Sequence, residues 1–523
     1  MRCASARRNA AVPQKAGARE ERRVSNTVTR RQFLKAAGAG AAWVALSTTL
    51  GCEPDRLTSA TASPARAGQA WPFRSRPDLK PPVIEVTTQA HNTAPGYVFC
   101  APKNGPDEAG PGQDGCLILD NTGQPVWFRP VATEAMDVMD FKLQRYKGEP
   151  VLTWWEGEHT GYGQGEYVLM DASYREVARV RAGNGLQGDH HEFIISPEDT
   201  ALFDIYHRVP MDLSDMGGEA DSTVLDGIVQ EVDIETGEVL FEWHSLDHVG
   251  IDETYAKPTK SPRPSLDYFH INSIDVDSDG NLLVSSRTTS TVYKIDRESG
   301  EVIWRLGGKK SDFEMGAGTQ TAYQHDARRQ RDGTITIFDN RNENKDEQSR
   351  GIVVELDEDA MTATLVREYT HPDKVLSATQ GNVQVLENAN NVFVGWGSAP
   401  VMSEFDRGGG LLFSAAFPAE SESYRAFRFE WEGRPQEEPA IAAEAVAGEK
   451  VTLYASWNGA TEVAAWEVLA GSAVDRLGPV ASAPRKGFET AIEVETPEAY
   501  VAVRAKDPSG KVLGASKPIK PRA

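Results

Sequence analysis

Residues 274–304, with the sequence IDVDSDGNLLVSSRTTSTVYKIDRESGEVIW, decide the fold. Short apolar runs rich in Ile, Leu and Val flank the polar turn 277–281, and the second turn 297–300 follows the next apolar run. Runs of this length that are interrupted by Asp, Asn and Gly are typical of antiparallel hairpins. The segment therefore predicts four consecutive strands joined by tight turns.

This unit recurs along the chain. A strand that ends in Asp precedes a polar turn at six places, 49 to 63 residues apart: Asp120, Asp171, Asp233, Asp296, Asp357 and Asp406. In such turns Asp accepts hydrogen bonds from backbone amides while Gly takes the positive-φ position. Six units of four strands, without a convincing long amphipathic helix, predict an all-β chain with a six-bladed β-propeller over residues 82–432. An array of β-sandwiches is the alternative.

A second all-β module is predicted at residues 433–523. Past Glu432 the chain is rich in Pro, Glu and Ala and then returns to short alternating strands, such as 451–457 and 500–505. This pattern favours a small immunoglobulin- or fibronectin-III-like β-sandwich. We expect it to pack against the propeller or to contact the cell surface.

The N-terminal segment differs in charge from the rest of the chain. Residues 1–35 hold ten Lys and Arg against two Glu, whereas the full 523 residues carry a net charge of −22. The stretch TRRQFLK at 29–35 has the twin-arginine form and precedes an apolar run, 36–50, that is too short to span a bilayer stably. We therefore expect residues 1–52 to be a twin-arginine signal peptide that exports the protein to the periplasm or cell surface, with no transmembrane anchor beyond the signal or a lipid.

Two processing alternatives follow the signal. Cys52 is a candidate lipidation site, although Thr49 stands where a lipobox normally has Leu. The plainer alternative is peptidase cleavage near Ala65–Ala67. Residues 53–81 are then expected to form a disordered spacer, because the first two thirds of this stretch are rich in Ser, Thr, Ala and Pro.

Charge and cysteine usage limit the partners. An acidic body without clustered positive charge excludes nucleic-acid binding, which needs Lys and Arg against phosphate. In an oxidising compartment Cys100 and Cys116 could form a loop-closing disulfide or remain two buried thiols.

Three histidines lie at matching positions in successive repeats. His191, His270 and His325 stand nine, ten and eight residues before the turn positions 200, 280 and 333. Because the innermost strand of a propeller blade lines the axial channel, equal depth brings these side chains together. Arg287, on the returning strand, adds planar donors that suit a tetrahedral oxyanion. Polar candidates for substrate binding at the same level are His190, Asn272, Thr379 and Asn382.

Other interpretations of the histidines stay open. A single His at a strand start is usually structural, and it is the combination with Arg287 that favours a functional site. Three His could hold Zn²⁺, but the ligands are not closely spaced and Arg287 would oppose a cation. We expect no metal ligand.

The ordered motifs resemble the arylsulfotransferase family, in the branch with a short N-terminus. The resemblance covers about residues 85–430 and depends on HINSI at 270–274, SSR at 285–287, IWRLGG at 303–308, QHD at 324–326 with FDN at 338–340, and GNVQ at 381–384 with GWG at 395–397. It implies a six-bladed propeller that moves a sulfuryl group from a phenolic sulfate ester to a phenolic acceptor, with no cofactor and no nucleotide sulfate donor.

The resemblance also implies roles for the candidate residues. His325 matches the histidine that is transiently sulfated, and His270, Asn272 and Arg287 match the residues that hold the sulfuryl oxygens. His191 matches a further histidine, a proton donor or a sulfuryl ligand, and His190 could replace it. The enterobacterial enzymes use an N-terminal β-sandwich to form dimers, for which this chain has no room before residue 82, so the oligomeric state stays open.

Two further functional classes remain. One is a non-catalytic surface propeller that binds an anionic ligand in the His/Arg funnel, and the other is a metal-dependent hydrolase that uses the His cluster. The substitution His325→Asn separates the first of these from a transferase, because it should abolish turnover and leave donor binding intact.

Overall fold

The computed structural model describes residues 66–104, 110–133, 136–159, 162–260, 263, 265–341 and 348–522. The predicted signal peptide and Cys52 lie outside these ranges. Within them the chain is all-β, as predicted, with one helical turn, α1 (Ser245–His248), and two 3-10 turns at Ser214–Met216 and Ile251–Glu253. No helix in this part of the chain is long and apolar enough to cross a membrane.

The strands are numbered in chain order. Up to residue 270 they are β1 Glu85–Thr88, β2 Tyr97–Cys100, β3 Lys103–Asn104, β4 Gly115–Leu119, β5 Pro125–Pro130, β6 Asp137–Tyr146, β7 Glu149–His159, β8 Gly163–Met170, β9 Glu176–Val180, β10 Phe193–Ile195, β11 Thr200–Met211, β12 Ser222–Asp233, β13 Val239–His244 and β14 Ser265–Leu266. From there to residue 429 they are β15 Ile271–Val276, β16 Leu282–Ser286, β17 Thr291–Ile295, β18 Val302–Gly307, β19 Glu314–Met315, β20 His325–Arg329, β21 Ile335–Asp339, β22 Arg350–Asp357, β23 Thr362–Tyr369, β24 Asn382–Leu386, β25 Asn391–Gly395, β26 Val401–Asp406, β27 Leu411–Ala416, β28 Ser421–Glu422 and β29 Ala426–Phe429. The last seven are β30 Ala440–Val446, β31 Lys450–Ser456, β32 Ala465–Ala473, β33 Arg476–Pro484, β34 Glu489–Glu495, β35 Tyr500–Lys506 and β36 Val512–Ala515.

Most sheets follow the chain in order. Four consecutive antiparallel strands form each of the sheets β6–β9, β10–β13, β15–β18, β20–β23 and β24–β27. A further sheet has the order β29-β2-β4-β5, so its edge strand comes from the far end of this region. Tyr97 pairs with Phe429 and Cys100 with Ala426, which joins the beginning of the region to its end.

The edge strands β6, β10, β15, β20, β24 and β29 meet at the centre. Each contacts the next in this order, and β29 contacts β6. Apolar clusters fill the space between adjacent sheets; Leu283 and Trp304, for example, pack with Ile335 of the next sheet. Burial of such clusters is the main favourable term in folding. Residues that directly precede the six edge strands are therefore brought side by side.

Strands β30–β36 form two further sheets. Their orders are β30-β31-β34 and β33-β32-β35-β36, and Leu453, Trp466 and Val503 belong to the core between them. The Asn458 side chain accepts a hydrogen bond from the backbone N–H of Phe128 and donates one to its carbonyl, both over 2.9 Å. This module is thereby docked on the outer strand β5.

Two expectations are corrected by the packing. The disulfide is not formed, because Cys100 pairs across β2 and β4 with Leu117, which leaves Cys116 on the opposite face of the sheet. The two thiols lie in different apolar clusters. The described part of the predicted spacer, residues 66–81, is ordered: Phe73 and Leu79 are buried, and the Phe73 ring lies 4.3 Å from that of Phe488. Burial of these apolar side chains orders residues 66–81, although the stretch before them is rich in Ser, Thr, Ala and Pro.

Candidate active site

The three predicted histidines lie where three neighbouring sheets begin. His191 stands two residues before β10, His270 directly precedes β15, and His325 is the first residue of β20. The ring of His191 packs edge-on against that of His270, with centroids 5.0 Å apart. His325 lies beside His270, because Asn272, two residues after His270, donates to the carbonyl of Gln324, the residue before His325, over 2.7 Å. The fold thus brings these three imidazoles into one cluster.

Hydrogen bonds fix the tautomer of His325. Its Nδ1 lies 2.7 Å from Oδ1 of Asn340 and 3.0 Å from the carbonyl of Tyr323. The Asn340 amide is oriented by its own Nδ2, which donates to the carbonyls of Ser377 and Gln380. Because both neighbours of Nδ1 are acceptors, Nδ1 carries the hydrogen and Nε2 carries the lone pair.

The environment of His325 favours the neutral ring. Burial lowers its pKa well below the usual range, and the positive charge of Arg287 lowers it further, against a smaller opposing effect of Asn340. The residue is only 1% exposed. The backbone N–H of Gln380 donates to Nε2 over 3.2 Å and covers it. His325 is therefore a neutral imidazole whose unprotonated nitrogen lies beneath Gln380.

His270 is the most open of the three histidines. Its side chain is 18% exposed, and its Nδ1 is hydrogen-bonded to Asp267. The residue adopts a positive φ of 48°, which non-glycine residues rarely do and which is frequent at functional sites. The backbone N–H of Arg287 donates to the His270 carbonyl over 2.9 Å, so the two side chains start from adjacent positions.

Arg287 supplies the positive charge of the cluster. Its guanidinium lies over the ring of Tyr323, 4.9 Å from the centroid, and its Nη2 donates to the carbonyl of Ala378 over 3.3 Å. The side chain is half-buried. The guanidinium is thus oriented by a ring face and a carbonyl.

His191 is enclosed by aromatic rings. The rings of Tyr206 and Tyr424 lie 5.5 and 5.6 Å from it, and that of His190 lies at 4.0 Å. Its Nδ1 bonds to Asp189. Burial lowers the pKa of His191 and, to about 3, that of His190, in spite of the nearby carboxylate.

The polar candidates separate into two groups. Thr379 is half-buried and directly precedes Gln380, whose N–H donates to His325. Asn272 and Asn382 are fully buried instead. Asn272 donates from Nδ2 to the carbonyl of Gln324 over 2.7 Å, while both ends of the Asn382 amide bond to the backbone of Ala426. Asn382 therefore joins β24 to β29, and its role in substrate binding stays a prediction.

Charged side chains lie beneath the histidines. Arg425 is fully buried and contacts Asp140 over 2.9 Å and Glu192 over 3.2 Å. Lys142 pairs with the same two carboxylates over 2.6 and 2.8 Å, and Arg328 pairs with Glu192 and Asp326. Three cations thus pair with three carboxylates, and the six residues lie in or next to strands of four different sheets. Paired and hydrogen-bonded charges of this kind are the form in which charge is tolerated inside proteins.

One family of known proteins matches this chain. A family model described as Arylsulfotransferase (ASST) matches residues 142–418, which is more than half of the chain. The chain belongs to the arylsulfotransferase family. Membership indicates a transferase that uses a phenolic sulfate donor and a phenolic acceptor. No curated protein matches the sequence.

Solved structures resemble this arylsulfotransferase family member only distantly. A protein of unknown function from Bacteroides caccae is 14% identical, with 64% of this chain and 98% of that chain covered and a TM-score of 0.39. An inactive virginiamycin B lyase from Staphylococcus aureus with quinupristin is 9% identical over 71% and 95% of the two chains, with a TM-score of 0.33. A structure described as the Dos1 propeller is 12% identical over 74% and 79%, with a TM-score of 0.31.

Several residues of this arylsulfotransferase site were missed in the sequence. Asn340 and Gln380 hold the two nitrogens of His325, and Asp267 holds His270. Asn340 stands within a family motif, FDN, which was the available signal. Tyr424 donates to the carbonyl of His191 over 3.1 Å. It occupies the position before β29 that His191 occupies before β10, but β29 completes the first sheet from the far end of the chain, so no repeat count along the sequence reaches it.

Proposed function

We propose that this protein is an exported aryl-sulfate sulfotransferase that works in two steps through a sulfated His325. The observation that carries the proposal is the state of the His325 ring. Its Nδ1 hydrogen is committed to Asn340, so the lone pair is on Nε2, and burial keeps the ring neutral. A neutral imidazole with a fixed tautomer, next to an arginine, is a suitable nucleophile for sulfur.

In the first step, Nε2 of His325 attacks the sulfur of the donor, and the bond from sulfur to the aryl oxygen breaks. We assign the hydrogen bonds to the sulfuryl oxygens to Arg287, because Nδ1 of His191 is bonded to Asp189 and its neutral ring has no second hydrogen to donate. The leaving aryl oxide takes the electron pair and receives a proton. We assign this proton transfer to His270, because it is the most exposed of the histidines and its ring is oriented by Asp267.

In the second step the group leaves His325. The acceptor phenol returns a proton to His270, its oxygen attacks sulfur, and the N–S bond breaks with its electron pair going back to Nε2. The proton given to the first phenol is thus recovered from the second. Arrangements that stabilise the charge of the transferred group without reorganisation supply much of the rate enhancement in such reactions.

Gln380 is proposed to control access to the nucleophile. Its backbone N–H points at Nε2, and its side chain Nε2 donates to Glu422 over 3.1 Å. The residue has a positive φ of 66°, followed by Gly381 at 103°. When sulfur binds to Nε2 of His325, this N–H loses its acceptor and can donate to a sulfuryl oxygen instead. Donor binding therefore has to displace Gln380 from its present position.

The wider architecture follows the family. We propose that the six sheets are the blades of a closed propeller, which is supported by the circular order of contacts between their edge strands. The two C-terminal sheets with their common core are proposed to be a β-sandwich. Export is proposed from the twin-arginine form of residues 29–35. Intact mass of the exported protein distinguishes a lipid on Cys52 from cleavage near residue 66.

One observation favours a second candidate function. His325 is buried beneath Gln380 in this structure, as would suit a propeller that binds an anionic ligand at Arg287 and His270 without chemistry. Turnover of 4-nitrophenyl sulfate by wild type, His325→Asn and the exposed control His91→Asn separates the two. A transferase loses nitrophenol release in His325→Asn only, and donor binding persists in all three. Donor binding without release in the wild type would support the binding protein.

A further inference from the structure

Behind the proposed nucleophile lies a second polar cluster with a different composition. It consists of Asp189, His190, His191 and Asp204, all of which are buried. One ligand atom from each of the first three lies within 4.8 Å of the others. Nδ1 of His190 is 3.5 Å from Oδ1 of Asp189, and Nδ1 of His191 is 3.9 Å from Oδ2 of Asp204. Nδ1 of His191 is also hydrogen-bonded to Oδ1 of Asp189, and Asp204 joins the group through His191.

Backbone contacts hold the two carboxylates in place. The Asp189 N–H donates to the Asp204 carbonyl over 2.9 Å, which fixes the strands together. Oδ2 of Asp189 accepts from the N–H of Gly163, and Oδ1 of Asp204 accepts from the N–H of Glu192 over 2.8 Å. Oδ1 of Asp189 accepts from the N–H of His191 over 3.1 Å as well and faces the imidazoles, as does Oδ2 of Asp204.

Two atoms of the cluster have no hydrogen-bond partner among the described residues. These are Nδ1 of His190 and Oδ2 of Asp204. Buried polar groups in proteins are nearly always satisfied, so a buried nitrogen and a buried oxygen that converge without a partner indicate a bound species. An ion that accepts electron pairs from both atoms would satisfy them together.

The charges around the cluster point the same way. The nearby cations Lys142, Arg328 and Arg425 are paired with three other carboxylates, described above. Over the residues that the structure describes, the ion pairs of Asp189 and Asp204 are with His190 and His191 alone. Among the described residues, neither carboxylate is therefore paired with a Lys or an Arg, as would suit a site that a cation occupies.

We propose that Asp189, His190, His191 and Asp204 form a buried binding site for a divalent transition metal, Zn²⁺ in the first instance. Imidazole and carboxylate ligands suit this ion, and ligand bonds of about 2.0–2.2 Å separate tetrahedral ligands by about 3.3–3.6 Å. All four ligands are enclosed, as in structural rather than catalytic zinc sites. The sequence predicts no metal at His191, His270 and His325. The four ligands proposed here share only His191 with that group. The ion would hold the ring of His191 against that of His270.

Metal analysis of the full exported chain tests the site without donor or acceptor, so its result is independent of sulfuryl transfer. After EDTA treatment and gel filtration, ZnCl₂ is titrated into wild type, Asp204→Asn, and His244→Asn as control. His244 is also paired with an aspartate, Asp226, over 2.7 Å, but outside the cluster. We expect one tightly bound Zn²⁺ per chain in wild type and control, and affinity weaker by more than about 100-fold in Asp204→Asn.

A measurement on the wild type covers the case in which Asp204→Asn does not fold. Co²⁺ in the same site should give the intense visible absorption of a four-coordinate ion, and added Zn²⁺ should remove it. Failure of the wild type to bind either ion overturns the proposal and leaves a proton shared between Asp189 and Asp204 in its place. Equal Zn²⁺ binding by folded Asp204→Asn, or a weakly absorbing six-coordinate Co²⁺ spectrum, also overturns it.

Discussion

The Nδ1 hydrogen of His325, the first residue of β20, is donated over 2.7 Å to Oδ1 of Asn340, the residue that follows β21. Asn340 also donates to the carbonyls of Ser377 and Gln380, so one amide fixes both the imidazole and the segment that covers it. Asn340 is therefore a positioning residue for the proposed nucleophile.

Substitutions of Asn340 should separate positioning from folding. We expect Asn340→Ala to lower kcat by about 10- to 100-fold with little change in KM, because Nδ1 keeps only the Tyr323 carbonyl as an acceptor. Asn340→Asp places a carboxylate beside the ring and should raise the pKa of His325. The acid limb of its pH–rate profile should then lie at higher pH than that of the wild type. A profile that is the same in both proteins would contradict the assignment.

Arg287 should contribute mainly to the transition state. Arg287→Met removes the guanidinium that lies over the ring of Tyr323. The value of kcat/KM for 4-nitrophenyl sulfate is expected to fall by about 100- to 1,000-fold. Arg287→Lys should recover part of this loss, since it keeps the charge but not the planar fork. Steady-state kinetics with phenol as acceptor measure both. Equal activity of Arg287→Met and wild type would exclude Arg287 from the site.

The pH dependence of stability should carry a contribution from His325. The unfolded chain protonates this imidazole near its usual pKa of 6.5, whereas the pKa in the folded protein lies well below that value. Below pH 6.5 the unfolded state binds more protons, so the free energy of unfolding falls as the pH falls through this window. The His325→Asn variant has no imidazole at this position, so its free energy of unfolding does not fall for this reason. Urea titrations between about pH 7 and pH 5 should therefore show the variant gaining stability relative to wild type; a constant difference would mean that His325 is not buried neutral.

The buried charges beneath the site should be essential for folding. Arg425→Met leaves Asp140 and Glu192 with fewer partners, and removal of one member of a buried pair costs about 3–5 kcal/mol. Arg434 pairs with Glu462 at the surface and provides the control, with an expected effect of about 0.5 kcal/mol or less for Arg434→Met. Chemical denaturation measures both. If the two substitutions lower the free energy of unfolding by the same amount, the buried charge network does not stabilise the centre of the fold.

The sequence predicts the strands and their turns because these depend on local composition. The run 274–285 appears as β15 and β16 with the expected turn between them. The sequence also places His191, His270 and His325 at comparable distances from their turns, since the register of a hairpin fixes how far a residue lies from its turn. Local pattern alone does not reveal that β29 closes the first sheet, and this closure brings Tyr424 and Arg425 to the centre.

Side-chain roles within the site depend on contacts that no repeat pattern encodes. Asn382 stands at the level of the histidines, yet both ends of its amide are used by Ala426. Cys100 and Cys116 are near in sequence, but the alternation of side chains along β2 and β4 sends them to opposite faces. Phe73 lies within the stretch predicted as a disordered spacer, and only its contact with Phe488 shows that it belongs to a core.

The most direct test of the account is peptide mass analysis after reaction with a donor. The purified protein is incubated with 4-nitrophenyl sulfate in the absence of an acceptor, and the peptide that contains His325 is compared with that of His325→Asn. The account predicts an acid-labile addition of SO₃ to the wild-type peptide alone, which disappears when phenol is added. Turnover of the donor with no adduct at His325, or an adduct that persists in His325→Asn, would contradict it.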